Sequence, residues 1–354
     1  MIKNAYKVIV TGGAGFIGGA LVRKLLQEKN WIIYNFDQIG YASDLSWINN
    51  FEFNQSRYFF SKIDLRNKEL VEKSVKEIRP DLIINLAAES HVDRSIDDPT
   101  NFIESNIVGT FNLLEASRSF WNKLSNIKKQ LFRFIHISTD EVFGSLGSEG
   151  KFDENTKYSP RSPYSASKAS SDHLVHSWYH TYGLPTIISN CSNNYGPYQF
   201  PEKLIPLSIL KGIRGEPIPL YGDGLNIRDW LYVDDHLEAL LLIAENGEIG
   251  RSYCIGGSGE KTNKEVQLQI CKILDEAAPK DFLHESLIKY VSDRPGHDKR
   301  YAINSNRIIK ELGWIPKMTF EDGLKNTVFW YLNNIEWCDF MMQKSGYLGS
   351  RIGI

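Results

Sequence analysis
The segment Thr11-Gly12-Gly13-Ala14-Gly15-Phe16-Ile17-Gly18 constrains this chain more than any other. It stands between a β-rich apolar run at Lys7–Thr11 and a helical pattern at Phe16–Glu28, with glycines at 12, 15 and 18. Residues without a Cβ let a backbone turn tightly off a strand, approach a phosphate and pack helix against strand. The first turn of the following helix then presents unpaired N–H groups to an anion. A glycine triplet alone is equally compatible with a tight turn that binds nothing, so its surroundings decide.

Those surroundings alternate. β-rich runs at Trp31–Phe36, Tyr58–Ile63, Asp81–Leu86, Phe132–Ile137 and Thr186–Ser189 are separated by helical patterns at Lys68–Ile78, Thr100–Trp121 and Ser165–Tyr182. Strands alternating with longer helices give an α/β fold, a Rossmann-type doubly wound parallel sheet covered on both faces. After Asn190 the texture becomes Pro- and Gly-punctuated, as at Tyr195-Gly196-Pro197 and Arg294-Pro295-Gly296. That change predicts a smaller C-terminal substrate-binding lobe over 191–354, with 1–190 as the dinucleotide lobe. Strand-like pieces at Asp229–Val233 and Tyr253–Ile255 are expected to return to the first lobe, so segments near 225–257 belong to it.

Charge and cysteine usage exclude several classes. A formal charge of −2 from 41 basic and 43 acidic residues gives no field to gather nucleic acid or an anionic membrane. Cys191, Cys254, Cys271 and Cys338 are far apart, without metal-ligand spacing, and read as reduced residues of a cytoplasmic protein. The longest apolar run, Ala239 to Ala244, is too short to span a bilayer. No metal is expected. His173 and His176 sit at i,i+3 but lack a third ligand, which leaves them surface or packing roles.

Asp37 ends the apolar run that follows the glycine loop, 19 residues beyond Gly18. A carboxylate there accepts both hydrogen bonds of an adenosine ribose and repels a 2′-phosphate, which favours NAD over NADP. A solvated turn residue is the plainer alternative. Asp64-Leu65, after the third strand, is placed to reach the adenine.

Tyr164 and Lys168 form a Tyr-x-x-x-Lys pair on one helical face. An ammonium near a phenol stabilises the phenolate, which makes tyrosine a base for a sugar hydroxyl. A second copy, Tyr58 and Lys62, lies in a strand, where roughly 13 Å separates the two groups. Thr139 stands 25 residues before Tyr164, just past a strand at the ligand-binding edge of such sheets, where its hydroxyl can bond the same substrate oxygen. Asp140 and Glu141 follow directly. Two carboxyls in different environments divide into acid and base, and an alcohol dehydrogenase needs neither, so the dyad implies further proton transfers. The alternative is that they cap a turn.

Together these residues resemble the extended short-chain dehydrogenase/reductase family and, within it, the dTDP-glucose 4,6-dehydratases. The similarity runs through TGGAGFIG (11–18), NLAAESHVDRS (85–95), ISTDEVFG (137–144), SPYSASKAS (162–170), NCSNNYGPYQFPEKLIP (190–206), GDGLNIRDWLYVDDH (222–236) and DRPGHDKRYAIN (293–304). Epimerases of the superfamily usually lack the Asp-Glu pair. The resemblance implies oxidation of a nucleotide-linked glucose at C4, with Tyr164 as base. Glu141 then removes the C5 proton and Asp140 protonates the 6-hydroxyl, and hydride returns to C6 with NAD regenerated. It also implies cofactor contacts from Gly12, Gly15, Phe16, Ile17, Gly18, Asp37, Asp64, Leu65, Ala87, Ala88, Ser105, Tyr164, Lys168 and Asn194. Substrate contacts are implied from Ser90, Thr139, Asn193, Lys203, Leu204, Pro219, Tyr221, Arg228, Asn263, Arg294 and His297. Both arginines suit a diphosphate, because a guanidinium bonds two oxygens at once. A homodimer through the helices Thr100–Trp121 and Ser165–Tyr182 is implied too. Departures are few: Ile39-Gly40-Tyr41-Ala42-Ser43-Asp44 replaces the usual LTYAGN, Asn304 stands where Asp is common, and the loop Gly144–Thr156 is short.

Overall fold
The computed structural model describes residues 6–347, so the outer ends of the two expected lobes, 1–5 and 348–354, lie outside the described residues. Seven parallel strands form the main sheet: β1 (Lys7–Thr11), β2 (Ile32–Asp37), β3 (Tyr58–Lys62), β4 (Leu82–Asn85), β5 (Arg133–Thr139), β6 (Thr186–Cys191) and β10 (Ser252–Ile255). Their order is β10-β6-β5-β4-β1-β2-β3. The order in which successive strands are added reverses beside β1, and the carboxyl ends there open a crevice, the usual ligand site of such sheets.

The helices Phe16–Glu28 and Val233–Asn246 cover one face, burying Leu21, Leu25, Leu237 and Leu240 against Val8, Val10 and Ile135. Lys68–Ile78, Gly109–Trp121 and Pro163–Tyr182 cover the other, where Val71, Leu113 and Val175 meet Ile9, Ile83 and Phe134. The sheet is apolar on both faces, as its near-continuous hydrophobic strands require.

The second lobe holds two small sheets. β9 (Ile227–Tyr232) lies between β7 (Asn193–Tyr195) and β11 (Glu260–Thr262), and β8 (Ile218–Tyr221) pairs with β12 (Ile288–Val291). Here the expectation of two returning strands is corrected. β10 joins the main sheet beside β6, but β9 does not: its ladder is taken by β7, parallel, and β11, antiparallel. The helix Val233–Asn246 returns in its place.

Three local departures bear on the site. β5 runs on to Thr139, which pairs with Cys191, so Thr139 ends the strand instead of following it. β2 likewise includes Asp37, opposite Lys62. The helix expected over Thr100–Trp121 is interrupted by a π-helical turn at Ile103–Val108. Asn106 in that turn is buried and bonded to Glu89 N (2.8 Å), Glu89 O (3.0 Å) and Ser167 Oγ (2.8 Å), bonds that use the wider turn. Among the described residues no helix is long and apolar enough to cross a membrane.

Candidate active site
A cavity of about 340 Å³ opens at the carboxyl ends of the main sheet. Gly12, Gly15, Phe16, Ile17 and Gly18 line it, together with Asp37, Asp64, Leu65, Ala87, Ala88 and Ser105. Tyr164, Lys168 and Asn194 line it too. Every residue expected to touch the cofactor therefore borders one space.

The glycine loop is tight for identifiable reasons. Gly12 has φ +71, and a Cβ there would meet the Ala87 backbone at 2.8 Å. A Cβ on Gly18 would lie 2.1 Å from Gly12 O. Asp37 is held by the loop it faces. Its Oδ1 accepts from Ile39 N (2.7 Å) and Ser43 Oγ (2.9 Å), and Oδ2 accepts from Ala14 N (3.0 Å). Two lone pairs per oxygen leave one open position, on Oδ2. The expected pair of ribose hydrogen bonds is thus cut to one unless the Ser43 hydroxyl turns away. A cradle lined by hydrogens, a helix start and a free carboxylate lone pair fit NAD.

At the reaction end, the Tyr-x-x-x-Lys helix starts with a capping box between Ser162 and Ser165, with Pro163 in its first turn. Tyr164 is buried, and burial pushes its phenol well above the usual range, with Glu141 adding to the effect and a hydrogen bond to Thr139 opposing it. Lys168 donates to Ile137 O (2.7 Å), and burial lowers its ammonium against the pull of Asp172. In the chain alone, desolvation and then the Glu141 charge dominate the phenol. The second Tyr-x-x-x-Lys pair lies in β3, where Tyr58 accepts from Asn35 Nδ2 (2.9 Å).

Thr139 caps the turn Asp140–Phe143, its hydroxyl accepting from Glu141 N (3.3 Å), so the cap is the threonine and not the acids. Glu141 faces the cavity; burial raises its carboxyl, and Arg294, Arg228 and Lys203 draw it back. Asp140 lies behind the wall, 1% exposed, and reaches the cavity through Thr139, whose Oγ1 is 3.3 Å from Asp140 Oδ1. Burial, then Glu141, raises Asp140 well above the carboxylate range. The two acids thus stand in different surroundings, one at the surface of the cavity and one beneath it.

Of the expected substrate residues, Ser90, Thr139, Asn193 and Lys203 line this cavity and Leu204, Pro219, Tyr221, Arg228, Asn263, Arg294 and His297 do not. The arginines are engaged within the protein. Arg294 Nη1 bonds Asp93 Oδ1 (2.7 Å); Arg228 donates to Ile227 O (2.8 Å) and Asp298 O (3.0 Å) and lies over Tyr301. Arg294 Nε is buried without a hydrogen-bond partner, and both charges act on Glu141. His297 bonds Asp293 Oδ1 (2.6 Å) and stands edge-on to Tyr221. Sequence reasoning missed Tyr41, Glu89 and Glu202 in the lining. Tyr41 donates to Glu202 Oε1 (2.7 Å) and Arg94 Nε to Glu202 Oε2 (3.2 Å), a bond set that joins the loop after β2 to the second lobe. The position of Glu202 beside Lys203 in a matched motif was the available signal. His173 is exposed and packs on Tyr158, and His176 approaches Ser252.

Residues 9–327 match the profile of the family described as GDP-mannose 4,6 dehydratase. A dTDP-glucose 4,6-dehydratase of Neisseria meningitidis is 51% identical over 352 residues, covering 98% of this chain and 99% of that protein. The crystal structure of a dTDP-glucose 4,6-dehydratase from Bacillus anthracis in complex with NAD is 43% identical with a TM-score of 0.84, covering 95% of this chain and 100% of that one. One from Streptomyces venezuelae, also with NAD bound, is 38% identical with a TM-score of 0.86, covering 95% of this chain and 99% of that one. With the profile spanning both lobes and the glycine cradle, Tyr164, Lys168 and Glu141 around one cavity, the chain belongs to the GDP-mannose 4,6 dehydratase family.

Proposed function
We propose that this protein is an NAD-dependent hydro-lyase that converts dTDP-glucose to dTDP-4-keto-6-deoxyglucose and water, an early step towards 6-deoxysugars of the rhamnose type. The observation that carries the reading is the acidic pair: Glu141 on the cavity and Asp140 beneath it, beside Tyr164 and Lys168. NAD, when bound, would supply the hydride acceptor for C4 and the donor for C6. Tyr164 takes the proton of the sugar 4-hydroxyl, with Lys168 as the nearby cation. Glu141 removes the proton at C5, which the C4 ketone has made acidic, and later returns one. Asp140, kept protonated by burial, delivers its proton to the departing 6-hydroxyl through the Thr139 hydroxyl. Ser90, Asn193 and Lys203 hold the sugar and its diphosphate, and Arg228 and Arg294 supply positive charge at the second-lobe side. The first 190 residues with the returning segment carry the cofactor, and the remainder mainly carries the nucleotide.

Support for dTDP-glucose as substrate comes from the names of the relatives, which match across both lobes. We further assign a cytoplasmic location and a homodimer, the homodimer supported by the exposed apolar residues Ile103, Val108 and Tyr182 on the helices expected to pair. Sedimentation of the unaltered chain and of Val108→Glu tests that assignment.

The deciding experiment incubates the purified protein with dTDP-glucose without added NAD and follows loss of one water by mass spectrometry. Glu141→Gln is expected to reduce its bound NAD yet eliminate no water. Turnover of UDP-hexoses with dTDP-glucose untouched would refute the substrate, and elimination by Glu141→Gln would refute the mechanism.

A further inference from the structure
A row of polar side chains crosses the sheet beneath the reaction site. Thr11, Asn85 and His136 occupy paired positions on the neighbouring strands β1, β4 and β5. Thr11 Oγ1 accepts from Ala87 N (3.2 Å) and donates to Asn85 Oδ1 (2.6 Å). That fixes the amide, so Asn85 Nδ2 faces His136 Nδ1 at 3.0 Å and the ring nitrogen accepts. The His136 proton therefore sits on Nε2.

Nε2 lies between two charges contributed by one helix at i and i+4. It is 3.4 Å from Asp172 Oδ1 and 3.5 Å from Lys168 Nζ, which puts carboxylate and ammonium within about 7 Å of each other. All three residues are buried. Asp172 Oδ2 accepts from Ser138 Oγ (2.7 Å), Tyr158 OH (2.9 Å) and Asn190 Nδ2 (3.3 Å), a donor set that stabilises the ionised form. Asp172 Oδ1 has no aligned hydrogen-bond donor among the described residues. A carboxylate with one oxygen saturated and the other against the His136 ring, one helical turn from a buried ammonium, is arranged as a fixed charge.

We propose that Asp172, held against the His136 ring, is the buried counter-charge that keeps Lys168 an ammonium and in place, making Asp172 and His136 positioning residues for proton transfer at Tyr164. The proposal rests on the reading of Tyr164 and Lys168 given above. Burial lowers His136 to about 4, with Lys168 as the second cause, so the ring is neutral and takes no share of the positive charge. Of the other ionisable groups on the packed elements, Cys191 on β6 acts on Lys168 itself, Asp140 and Glu141 on the turn after β5 act on Tyr164, and His176 on the same helix acts on His136. Burial raises the two acids of the turn and the thiol, which leaves them poor permanent anions. Asp93 and Glu104, on the helix and π-helical turn packed alongside, are paired with Arg294 and Arg66.

Two measurements test this. Melting temperatures of Asp172→Asn, Lys168→Met and the double variant form a cycle that requires no turnover. Asp172→Asn is expected to lower the melting temperature of the unaltered chain and to raise that of Lys168→Met, where the carboxylate is an unpaired buried charge. Equal losses in both backgrounds would overturn the proposal. The second is the pH dependence of reduction of bound NAD on mixing with dTDP-glucose. Coulomb attraction over about 7 Å at an effective dielectric near 20 is worth about one to two pH units on Lys168. In Asp172→Asn the lysine then loses its charge before the phenol ionises, and the ascending limb moves up by about one pH unit. Tyr158→Phe removes a hydrogen bond from the same carboxylate but keeps its charge, and leaves the midpoint in place. An unchanged or lowered midpoint in Asp172→Asn overturns the proposal. If the unaltered chain reduces no NAD, the functional reading fails, and the melting cycle still decides the role of Asp172.

Discussion

Alanine at two glycines of the same loop separates packing from cofactor binding. At Gly18 the new Cβ would stand 2.1 Å from Gly12 O and 2.8 Å from Gly12 C. Such contacts need about 3 Å, so the turn and the helix start must part by about 1 Å. Overpacking strain of this kind costs about 1–3 kcal/mol, and a backbone-to-Cβ clash belongs at the upper end. Alanine returns about 1 kcal/mol as a better helix former. The net is a loss of about 2 kcal/mol, a fall of a few degrees in melting temperature, together with weaker NAD binding because Gly12 itself has moved. At Gly15 the Cβ meets Gly12 O at 3.2 Å and otherwise, among the described residues, open space on the cavity side. Gly15→Ala is therefore expected to melt within about a degree of the cofactor-free parent while losing NAD affinity at least tenfold. Scanning calorimetry of stripped protein and titration with NAD read the two effects separately. A Gly15→Ala protein that retains full NAD affinity, or a Gly18→Ala protein as stable as the parent, would refute the reasoning.

Two further outcomes follow from charges held in unusual environments. Burial lowers His91 to about 2, His236 to about 3 and both His136 and His297 to about 4 from the ordinary 6.5. The unfolded chain takes up protons first as pH falls below 6.5, so these groups withdraw stability from there towards pH 4; Asp229, raised by burial to about 6, and Asp140, Glu141, Glu89 and Asp234, also raised by burial, work in the opposite sense. His236→Gln should therefore narrow its deficit in melting temperature relative to the parent between pH 7 and pH 5, and a deficit that does not change with pH would show that this histidine is not neutral in the fold. For Asp37→Asn, the amide keeps an acceptor but loses the charge, so NAD binding weakens about tenfold and discrimination against NADP narrows, as read by titration with each cofactor.

What the sequence makes legible is what neighbours along the chain determine. The main sheet was readable because alternation of strand and helix is a local pattern, and the cofactor wall because glycine spacing, strand and helix lie within twelve residues, Lys7 to Gly18. Tyr164 and Lys168 were readable because four residues in a helix are one turn. Long-range partners escaped. β9 has the composition of a main-sheet strand, and β7 and β11 claim it through pairings that composition does not encode. Arg294 reads as a phosphate ligand in its motif, but Asp93, 201 residues away, takes one of its nitrogens. The bond between Tyr41 and Glu202 spans 161 residues and has no local signature.

The same division explains why the catalytic end reads better than the nucleotide end. Thr139, Asp140 and Glu141 are consecutive, so their different surroundings follow from one structural event. β5 ends at Thr139, the chain turns, and the strand-to-turn switch sends Glu141 into the cavity and Asp140 under its wall. The nucleotide side draws on β8, on the starts of two helices and on the segment from 293, which meet through contacts between distant parts of the second lobe. Its arginines rest on internal partners while their charges still reach Glu141. An anionic diphosphate paired with Arg294 would neutralise part of its positive field on Glu141, raising the basicity of the group proposed to take the C5 proton. Binding of the substrate's remote, unreacting end would then tune the base at its reacting end, an arrangement that no single motif could reveal.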